Sequence, residues 1–574
     1  MSYTTFGQYQ GELKTGSLFG DDGFKPIVFR PEQEEAITLA LEQFCSSSGR
    51  GANKVYTPLS TYKQFLWNAK MRFGKTLCAL ELARRMGVQR TLIVTHRPVV
   101  DEGWHEDFDK IFHDTKYRYA TRTDDEQKGD FYALNRRAMD GKGGFVFFVS
   151  MQFLRLSELL NDKTQAKHNI KDVGDDYEAT NENEHLKAEI LKTDWDFVVV
   201  DEAHEGTRTA LGFRVIDEYL KKKTTKMLHL SGTPFNLYED FGKNEIFTWD
   251  YISEQQAKND WPKTHPGEPN PYAELPQMMM YSYDLGKNFQ SVIDHEGIFT
   301  FSEFFRTWTG NTKADGATMP EGAKGKFVHE ADVNKFLDLL CTKDDKNNFP
   351  FATDEYRKQF RHTLWVVSRI DEAKALAELL RQHPKFKNRF KVINVAGTKE
   401  SDEQMDNALD EVKRAIGDIP EQTATITISC GRLTTGVTIK PWTAVLYLKG
   451  GDRAATYLQT IFRVQSPYVT KDGMMKTSCC VFDFMFNRTL KIAAETSKFS
   501  SMAKAKAESS GDEDDDKTQE ARDKETVAAF VKLCPLISME GGKMSPLEVG
   551  QIYKQLESVF IDRLVAKGFD DPCL

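Results

Sequence analysis

The stretch FVVVDEAH, residues 197–204, combines a continuous apolar run with two acidic residues near its end. A short run without polar alternation is typical of a strand buried on both faces, as in a parallel sheet covered by helices. Asp201 and Glu202 follow the run directly, so we expect them at the carboxyl edge of the sheet, where open α/β folds bind ligands. The stretch therefore predicts a parallel α/β fold with a ligand site at this strand end.

Comparable apolar runs occur before and after this stretch, each followed by a segment with helical spacing. The first series contains TLIVTH, FVFFVS and MLHLSGT, at residues 91–96, 145–150 and 227–233. A second series begins at residue 363 and contains TLWVVSR, KVINVAG, ATITISC, AVLYLKG and SCCVFDF. Strands that alternate with helices in this way predict two consecutive α/β units with parallel sheets.

Changes in pattern suggest the domain boundaries. We expect a first α/β domain at residues 1–235 and a second at 356–490, separated by an inserted or linking subdomain at 236–355, where the periodicity is lost. Residues 491–574 are expected to form an acidic linker and a C-terminal helical appendage, because ESSGDEDDDKTQE has too few apolar residues for a core and the final segment has helical spacing.

The composition is that of a multi-domain globular chain. Its 574 residues, 40% hydrophobic and 28% charged, exclude a collagen-like or wholly disordered protein. The net charge of −9 means that nucleic-acid contacts must come from local basic grooves. The eight cysteines contain no CxxC pair, which favours reduced thiols over a metal centre. No run of about 18 apolar residues occurs, and we expect a cytoplasmic protein.

A second chemical signal is AKMRFGKT, residues 69–76, between the apolar QFLWN and the helical pattern LCALELARRMG. A strand-to-helix turn of this kind directs backbone N–H groups towards phosphate oxygens. Lys75 would reach the β- and γ-phosphates, and the Thr76 hydroxyl would bind Mg²⁺. Ala69 stands where a glycine is usual, so a solvated loop lysine is the alternative interpretation of this motif taken alone.

The two motifs together predict a site for ATP and Mg²⁺. Asp201 would hold the metal, and Glu202 would orient and deprotonate the attacking water. The loop around the phosphates would consist of Lys70, Met71, Arg72, Phe73 and Gly74. The alternative for DEAH, an acidic strand end without function, is disfavoured by the phosphate loop upstream.

These motifs resemble those of the superfamily-two helicases and translocases of the DEAH-box type, which implies two tandem RecA-like domains. FRPEQ, residues 29–33, is similar to the family's adenine-reading segment, which assigns Arg30 and Gln33 to ATP and makes Gln33 the adenine contact. SGTP, residues 231–234, is similar to the segment that couples hydrolysis to domain movement. This assigns coupling roles to Ser231 and Thr233, together with His204 of the acidic motif.

The same resemblance implies nucleic-acid contacts in the first unit. THRP, residues 95–98, followed by Trp104, is similar to a segment that touches a nucleic-acid backbone, which assigns Arg97 and Pro98 to this role. SMQ, residues 150–152, resembles the next backbone-contacting turn and assigns Gln152.

The second unit carries matching features after its own strands. TTGVT, residues 434–438, resembles the loop that contacts nucleic acid through Thr434 and Thr435 and nucleotide through Gly436. QTIFR, residues 459–463, resembles the arginine-finger helix, which implies that Gln459 and Arg463 act in hydrolysis across the cleft between the domains.

Two residues depart from the finger pattern: Phe462 replaces a glycine that often precedes the arginine, and Ser466 replaces a second arginine. Three explanations are open. Arg463 acts alone, Arg432 or Arg453 supplies the second charge, or hydrolysis is slow.

Within the superfamily the motifs look most like those of the helicase-like ATPases of bacterial restriction and anti-phage defence systems, over about residues 24–490. The resemblance implies an ATP-dependent translocase or helicase on DNA rather than RNA. It also implies a role as the motor subunit of a defence or repair complex, with a nuclease or methyltransferase as partner. Two alternatives are open: a nucleotide-gated scaffold that binds nucleic acid and recruits an effector, and an ATP-dependent nuclease with a metal centre in residues 235–355 or 491–574.

Overall fold

The structure is a computed structural model of the chain. It describes residues 27–49, 51, 54–96, 100–122, 130–157, 182–203, 210–232, 240–283, 285, 289, 300–315, 317–343, 349–397, 402–431, 438–451, 454–485, 488, 529, 532, 534, 536–540 and 543–546. The chain divides into two compact units, and the second comprises Gln255–Asn259 and the residues from Tyr272 onward.

The first unit is built on a seven-stranded sheet in which every pairing is parallel. The strands of this unit are β1 (Cys45–Ser48), β2 (Val55–Pro58), β3 (Lys63–Ala69), β4 (Arg90–Thr95), β5 (Arg118–Thr121), β6 (Phe145–Ser150), β7 (Phe197–Asp201), β8 (Lys226–Ser231) and β9 (Ile246–Trp249). The order in the sheet is β5-β6-β4-β7-β8-β3-β9, whereas β1 and β2 form a separate antiparallel pair.

Helices connect these strands. They are α1 (Pro31–Phe44), α2 (Lys75–Met86), α3 (Asp101–Phe112), α4 (Phe131–Met139), α5 (Met151–Arg155), α6 (Glu182–Lys192) and α7 (Ala210–Phe213), with a π-helix at Arg214–Leu220 and a 3₁₀ turn at Lys243–Glu245. The helix α8 (Tyr251–Thr264) follows β9, and its residues are divided between the two units. Strand β7 is buried on both faces, because Phe197 and Val199 pack in one apolar cluster and Val198 and Val200 pack in another.

The second unit contains an eight-stranded sheet with the order β12-β13-β11-β14-β15-β10-β16-β17. Its strands are β10 (Gln277–Ser282), β11 (His362–Val366), β12 (Lys391–Asn394), β13 (Thr425–Ser429), β14 (Ala444–Tyr447), β15 (Ser478–Asp483), β16 (Leu536–Glu540) and β17 (Lys543–Pro546). Only β17 pairs antiparallel among the strands that the structure describes in this sheet.

The helices of the second unit lie before, between and after its strands. They are α9 (Phe301–Phe304), α10 (Thr312–Asp315), α11 (Glu330–Leu340), α12 (Asp354–Gln359), α13 (Ile370–Gln382), α14 (Asp402–Ile416) and α15 (Ala454–Ile461), with 3₁₀ turns at Pro420–Gln422 and Phe462–Gln465. The predicted fold class, two parallel-sheet α/β domains in tandem, is confirmed.

The segment at residues 236–355 contributes strands to both sheets. Strand β9 joins the edge of the first sheet beside β3, and β10 lies inside the second sheet between β15 and β16. Met278 and Met280 of β10 are buried, so the run of methionines in the sequence belongs to a core.

Part of the C-terminal segment, where we expected a helical appendage, forms strands, whereas Ala529 and Lys532 are helical. Residues 536–540 and 543–546 form β16 and β17, and β16 pairs with β10 in parallel. The helical expectation was wrong for these residues because backbone pairing with the exposed edge of β10 outweighs local helical spacing. None of the helices in the described ranges is both long and apolar enough to cross a lipid bilayer.

Candidate nucleotide site

The phosphate-binding loop predicted at residues 69–76 connects β3 to α2, as the strand-to-helix pattern requires. Lys75 begins α2, and its Nζ donates hydrogen bonds to the carbonyl oxygens of Ala69 at 2.7 Å and Lys70 at 3.2 Å. The loop therefore curls around the lysine side chain. Arg72 has a φ of 70° and Gly74 a φ of 92°, a left-handed backbone that is uncommon for a non-glycine residue.

Gln33 and Arg30 hold this loop from the start of α1. The Gln33 amide donates to the Phe73 carbonyl at 2.6 Å and accepts from the Arg30 backbone N–H at 2.8 Å. The Arg30 guanidinium donates to the same Phe73 carbonyl at 3.0 Å. A Cβ placed on Gly74 would lie 2.7 Å from Gln33 Nε2, so only glycine fits without displacing this contact. The predicted adenine-reading residues thus touch the predicted phosphate loop.

The side chain of Lys70 forms a buried ion pair within the protein. Its Nζ lies 2.8 Å from both carboxylate oxygens of Glu254 in α8, and both residues are buried. Burial lowers the pKa of Lys70, and the Glu254 carboxylate opposes this effect. The loop backbone at Lys70 is also tied to β9, because its N–H donates to the Trp249 carbonyl at 2.9 Å. Glu254 carries no local sequence signal, so sequence reasoning missed it.

Asp201 and Glu202 lie at the carboxyl end of β7, as predicted. Burial raises the pKa of Asp201, and the adjacent Glu202 raises it further, whereas Lys75 and a hydrogen bond from Trp104 lower it. The Glu202 N–H donates to Asp201 Oδ1 at 3.0 Å, and Glu202 has a φ of 50°. Such strained backbone often occurs at functional sites. The sequence indicated Trp104 as part of a motif but not as a partner of Asp201.

The residues predicted to hold Mg²⁺ fit that ion chemically. Mg²⁺ prefers oxygen ligands and is usually held by one or two carboxylates together with substrate phosphates. Asp201 supplies a carboxylate whose charge is disfavoured by burial and by Glu202, so a bound cation would relieve both effects. Thr76 adds a hydroxyl on the first turn of α2. Across the described ranges no group of three or more His, Cys, Asp or Glu side chains is arranged to hold a metal.

Neighbouring strands bring a third segment to the phosphate loop. Strands β7, β8 and β3 are adjacent and parallel, so their carboxyl ends share one edge. The Ala203 N–H donates to the Leu230 carbonyl at 3.0 Å, and a Cβ on Gly232 would lie 3.5 Å from the Ala69 carbonyl oxygen. Ser231 is buried at the end of β8. The other two predicted coupling residues, His204 and Thr233, lie outside the described residues.

Gln152, predicted to contact nucleic acid, lies on the first turn of α5, and its side chain is exposed. Its amide donates to the His96 carbonyl at 2.6 Å, which links the ends of β4 and β6. Ser150 caps this helix by accepting a hydrogen bond from the Phe153 N–H at 3.3 Å. The other predicted contacts in this unit, Arg97 and Pro98, lie outside the described residues.

In the second unit Gln459 lies on α15, and Arg463 lies in the 3₁₀ turn that follows it; both are buried. An ion pair that sequence reasoning missed, between Asp483 of β15 and Arg488 at 2.5 Å, is also buried. The Arg488 guanidinium lies 5.7 Å from the centre of the Tyr457 ring on α15. Several predicted positions lie outside the described residues: Thr434, Thr435 and Gly436, and the candidates for a second charge, Arg432 and Arg453.

Two solved structures align with this chain over most of its length. The ATP-dependent type ISP restriction-modification enzyme LlaBIII bound to DNA aligns with a TM-score of 0.48 and 12% identity, over 95% of this chain and 33% of that one. The DEAD-box helicase Mss116 bound to single-stranded RNA and UDP-BeF aligns with a TM-score of 0.42 and 12% identity, over 92% and 91% of the two chains.

Sequence comparison gives a more specific result. A Mycoplasma pneumoniae protein, named as the C-terminus of a type II restriction enzyme and methyltransferase, is 27% identical over 526 residues. The match covers 82% of this chain and 66% of that protein, so the chain spans just under two thirds of its relative. Residues 26–236 match the family model for the res subunit of type III restriction enzymes. The predicted resemblance to the helicase-like proteins of restriction systems is therefore confirmed.

Proposed function

We propose that this chain is an ATP-dependent translocase or helicase that acts on DNA in preference to RNA, as the motor of a restriction or defence system. The match to the res-subunit family model and the M. pneumoniae relative support the restriction role. One observation carries the nucleotide-driven activity: β3, β8 and β7 bring the phosphate loop, Gly232 and the Asp201–Glu202 pair to one edge of a sheet.

The first unit would bind the nucleotide. Lys75, which now donates to two loop carbonyls, would turn to the β- and γ-phosphates, and backbone N–H groups of residues 70–75 would surround them. Thr76 and Asp201 would hold Mg²⁺, which supplies neutralising charge at the phosphates. Glu202 would orient the attacking water and take its proton.

Gln33 has the capacity to read adenine. Its amide oxygen accepts one hydrogen bond from the Arg30 N–H, and its NH₂ group donates one to the Phe73 carbonyl of the loop. These bonds leave one lone pair and one N–H of the amide for adenine. Adenine offers a donor at N6 and an acceptor at N7, the complement of this pair.

The second unit would complete the reaction. Arg463 would stabilise the charge of the transferring phosphoryl group, and Gln459 would assist from the same helix. Gln152, Arg97, Pro98, Thr434 and Thr435 would follow a nucleic-acid backbone, with Gly436 near the nucleotide. Ser231, Thr233 and His204 would couple hydrolysis to movement, and a nuclease or methyltransferase would act as partner.

An ATPase assay with no nucleic acid and with single-stranded, duplex, forked and RNA ligands tests this function. We expect stimulation by DNA that is abolished in Lys75→Ala and Glu202→Gln and retained in Lys110→Ala, a control at a surface lysine. We expect Arg463→Ala to lower turnover by about 10³-fold while nucleotide binding persists. ATP hydrolysis that no nucleic acid stimulates would contradict a motor role, and nucleotide binding with negligible turnover would favour the nucleotide-gated scaffold.

A further inference from the structure

A basic cavity opens in the second unit, and none of its lining residues has been assigned a role above. Its volume is about 450 Å³, and it is lined by Asp354, Arg357, Lys358, Arg361, Arg389, Phe390 and Ala424. Four cationic side chains thus face one carboxylate. A concave site with this excess of positive charge attracts polyanions.

The position of the cavity follows from the sheet topology. Arg361, Phe390 and Ala424 are the residues directly before β11, β12 and β13, three adjacent parallel strands. The cavity therefore lies at the amino edge of this sheet. The nucleic-acid contacts predicted for this unit, Thr434 and Thr435, follow β13 in the chain, beyond its carboxyl end. The cavity lies at the opposite edge of the sheet from Ser429, the last residue of β13.

Two of the cations are held in position by the protein. The Arg357 guanidinium donates to the Phe351 carbonyl at 2.6 Å and pairs with Asp354 at 2.5 Å. Arg361 donates to the carbonyl of Glu421. A guanidinium has five N–H donors, so both arginines keep donors for a ligand after these bonds are made.

The other two cations have no such restraint. Lys358 and Arg389 are exposed, and neither side chain has a hydrogen-bond or ion-pair partner within the ranges that the structure describes. The hydrogen bond and charge of Arg357 lower the pKa of Asp354, and the more distant charges of Arg389 and Lys358 act in the same direction. Two fixed guanidinium groups beside two unengaged cations form an arrangement that can bind several oxyanions at once.

We infer that this cavity binds the phosphodiester backbone of nucleic acid, as a contact additional to the predicted motor contacts. Its volume exceeds the needs of one phosphate, and successive phosphates of a strand match cations spread over several lining residues. Its four cations against one carboxylate favour a polyanion over an uncharged peptide. The inference rests on the proposed nucleic-acid binding of this chain.

Fluorescence anisotropy with labelled single-stranded and duplex DNA, measured on the full chain over a range of salt, tests this contact. The variant Lys358→Ala/Arg389→Ala removes the two unengaged cations. Its matched control, Lys374→Ala/Arg414→Ala, removes one exposed lysine and one exposed arginine of the same unit outside the cavity. Nucleotide binding and the ATPase rate without DNA are measured in parallel.

We expect the cavity variant to lose DNA affinity by about tenfold. The slope of log affinity against log salt concentration should also become shallower, by the amount that corresponds to about two phosphate contacts. The control should change DNA affinity by less than about twofold, and both variants should keep wild-type nucleotide binding and basal ATPase rate. This pattern would support a localised contact.

Three results would overturn the inference while leaving the proposed function intact: wild-type DNA affinity in the cavity variant, an equal loss in the control, or loss of binding to a labelled polyglutamate peptide with DNA binding unchanged. A wild-type chain that binds no nucleic acid would refute the proposed function itself, and the inference with it.

Discussion

The Nζ of Lys70 lies 2.8 Å from each carboxylate oxygen of Glu254, in a pair buried from solvent. Lys70 belongs to the phosphate loop, and Glu254 lies on α8, far along the chain. The pair fixes one side of the loop from outside the β3–α2 connection. Burying an ion pair costs desolvation energy for both charges, so the pair itself adds little net stability. Removing one partner is strongly destabilising, because the other charge then stays buried and uncompensated.

We predict that Lys70→Met destabilises the protein by about 3–5 kcal/mol, because Glu254 is left as an uncompensated buried charge. The double variant Lys70→Met/Glu254→Met should regain most of this loss. Denaturant unfolding measures both values. Lys110→Met, at the surface pair Lys110–Asp107, should change stability by less than about 1 kcal/mol. Equal losses in the single and double variants would show that the uncompensated Glu254 charge is not the cause of the destabilisation.

Gly74→Ala should weaken ATP binding by about tenfold or more, a loss of about 1.4 kcal/mol, because the added methyl group would lie 2.7 Å from Gln33 Nε2 and displace the loop. Gly87→Ala is the matched control. Gly87 also has a positive φ, of 65°, but a Cβ there meets nothing within 4 Å. The control should lose about 1 kcal/mol of stability from backbone strain and keep its ATP affinity. Titration calorimetry distinguishes the two effects, and equal ATP affinity in both variants would refute the steric explanation.

Gln33→Ala should reduce the preference for ATP over GTP by about tenfold, because the amide supplies both hydrogen bonds proposed for adenine. Competition binding with the two nucleotides measures this preference. Arg30→Ala removes a bond to the same Phe73 carbonyl but no adenine contact, so it should weaken both nucleotides alike. A Gln33→Ala variant that still prefers ATP to the same extent would place adenine recognition elsewhere.

The buried side chain of His229 should make the stability of the protein depend on pH. Burial, aided by Lys221, lowers the pKa of His229 to about 4 from the ordinary value of 6.5. The unfolded chain therefore binds a proton more readily than the folded chain, so stability is full above pH 6.5 and falls as the pH drops towards 4. This residue should account for about 2 kcal/mol of lost stability between pH 7.5 and pH 5.

The variant His229→Leu should show a smaller loss of stability over that pH range, measured by denaturant unfolding at each pH. The same substitution at His113, an exposed residue beside Asp114, should keep the wild-type pH dependence. A His229→Leu variant with an unchanged pH profile would assign the acid sensitivity to other groups.

Local patterns in the sequence predicted much of the fold. The run at residues 197–200 is buried on both faces because residues without polar alternation cannot present a solvated face. The phosphate loop lies between β3 and α2 because the sequence changes there from a strand pattern to a helical one. Strand β10 was harder to recognise, because its neighbours in the sheet, β15 and β16, are distant in the chain.

The sequence by itself determined which residues are the candidates for chemistry: the lysine and threonine of the predicted phosphate loop, a pair of carboxylates at a strand end, and the motifs that resemble those of restriction helicases. Only the tertiary structure decided what surrounds them. It paired Lys70 with Glu254, directed Trp104 at Asp201, and brought Arg389 to the three cations of residues 357–361 in one cavity. Local patterns reflect the short-range geometry of strands and turns, whereas these contacts depend on how distant segments pack.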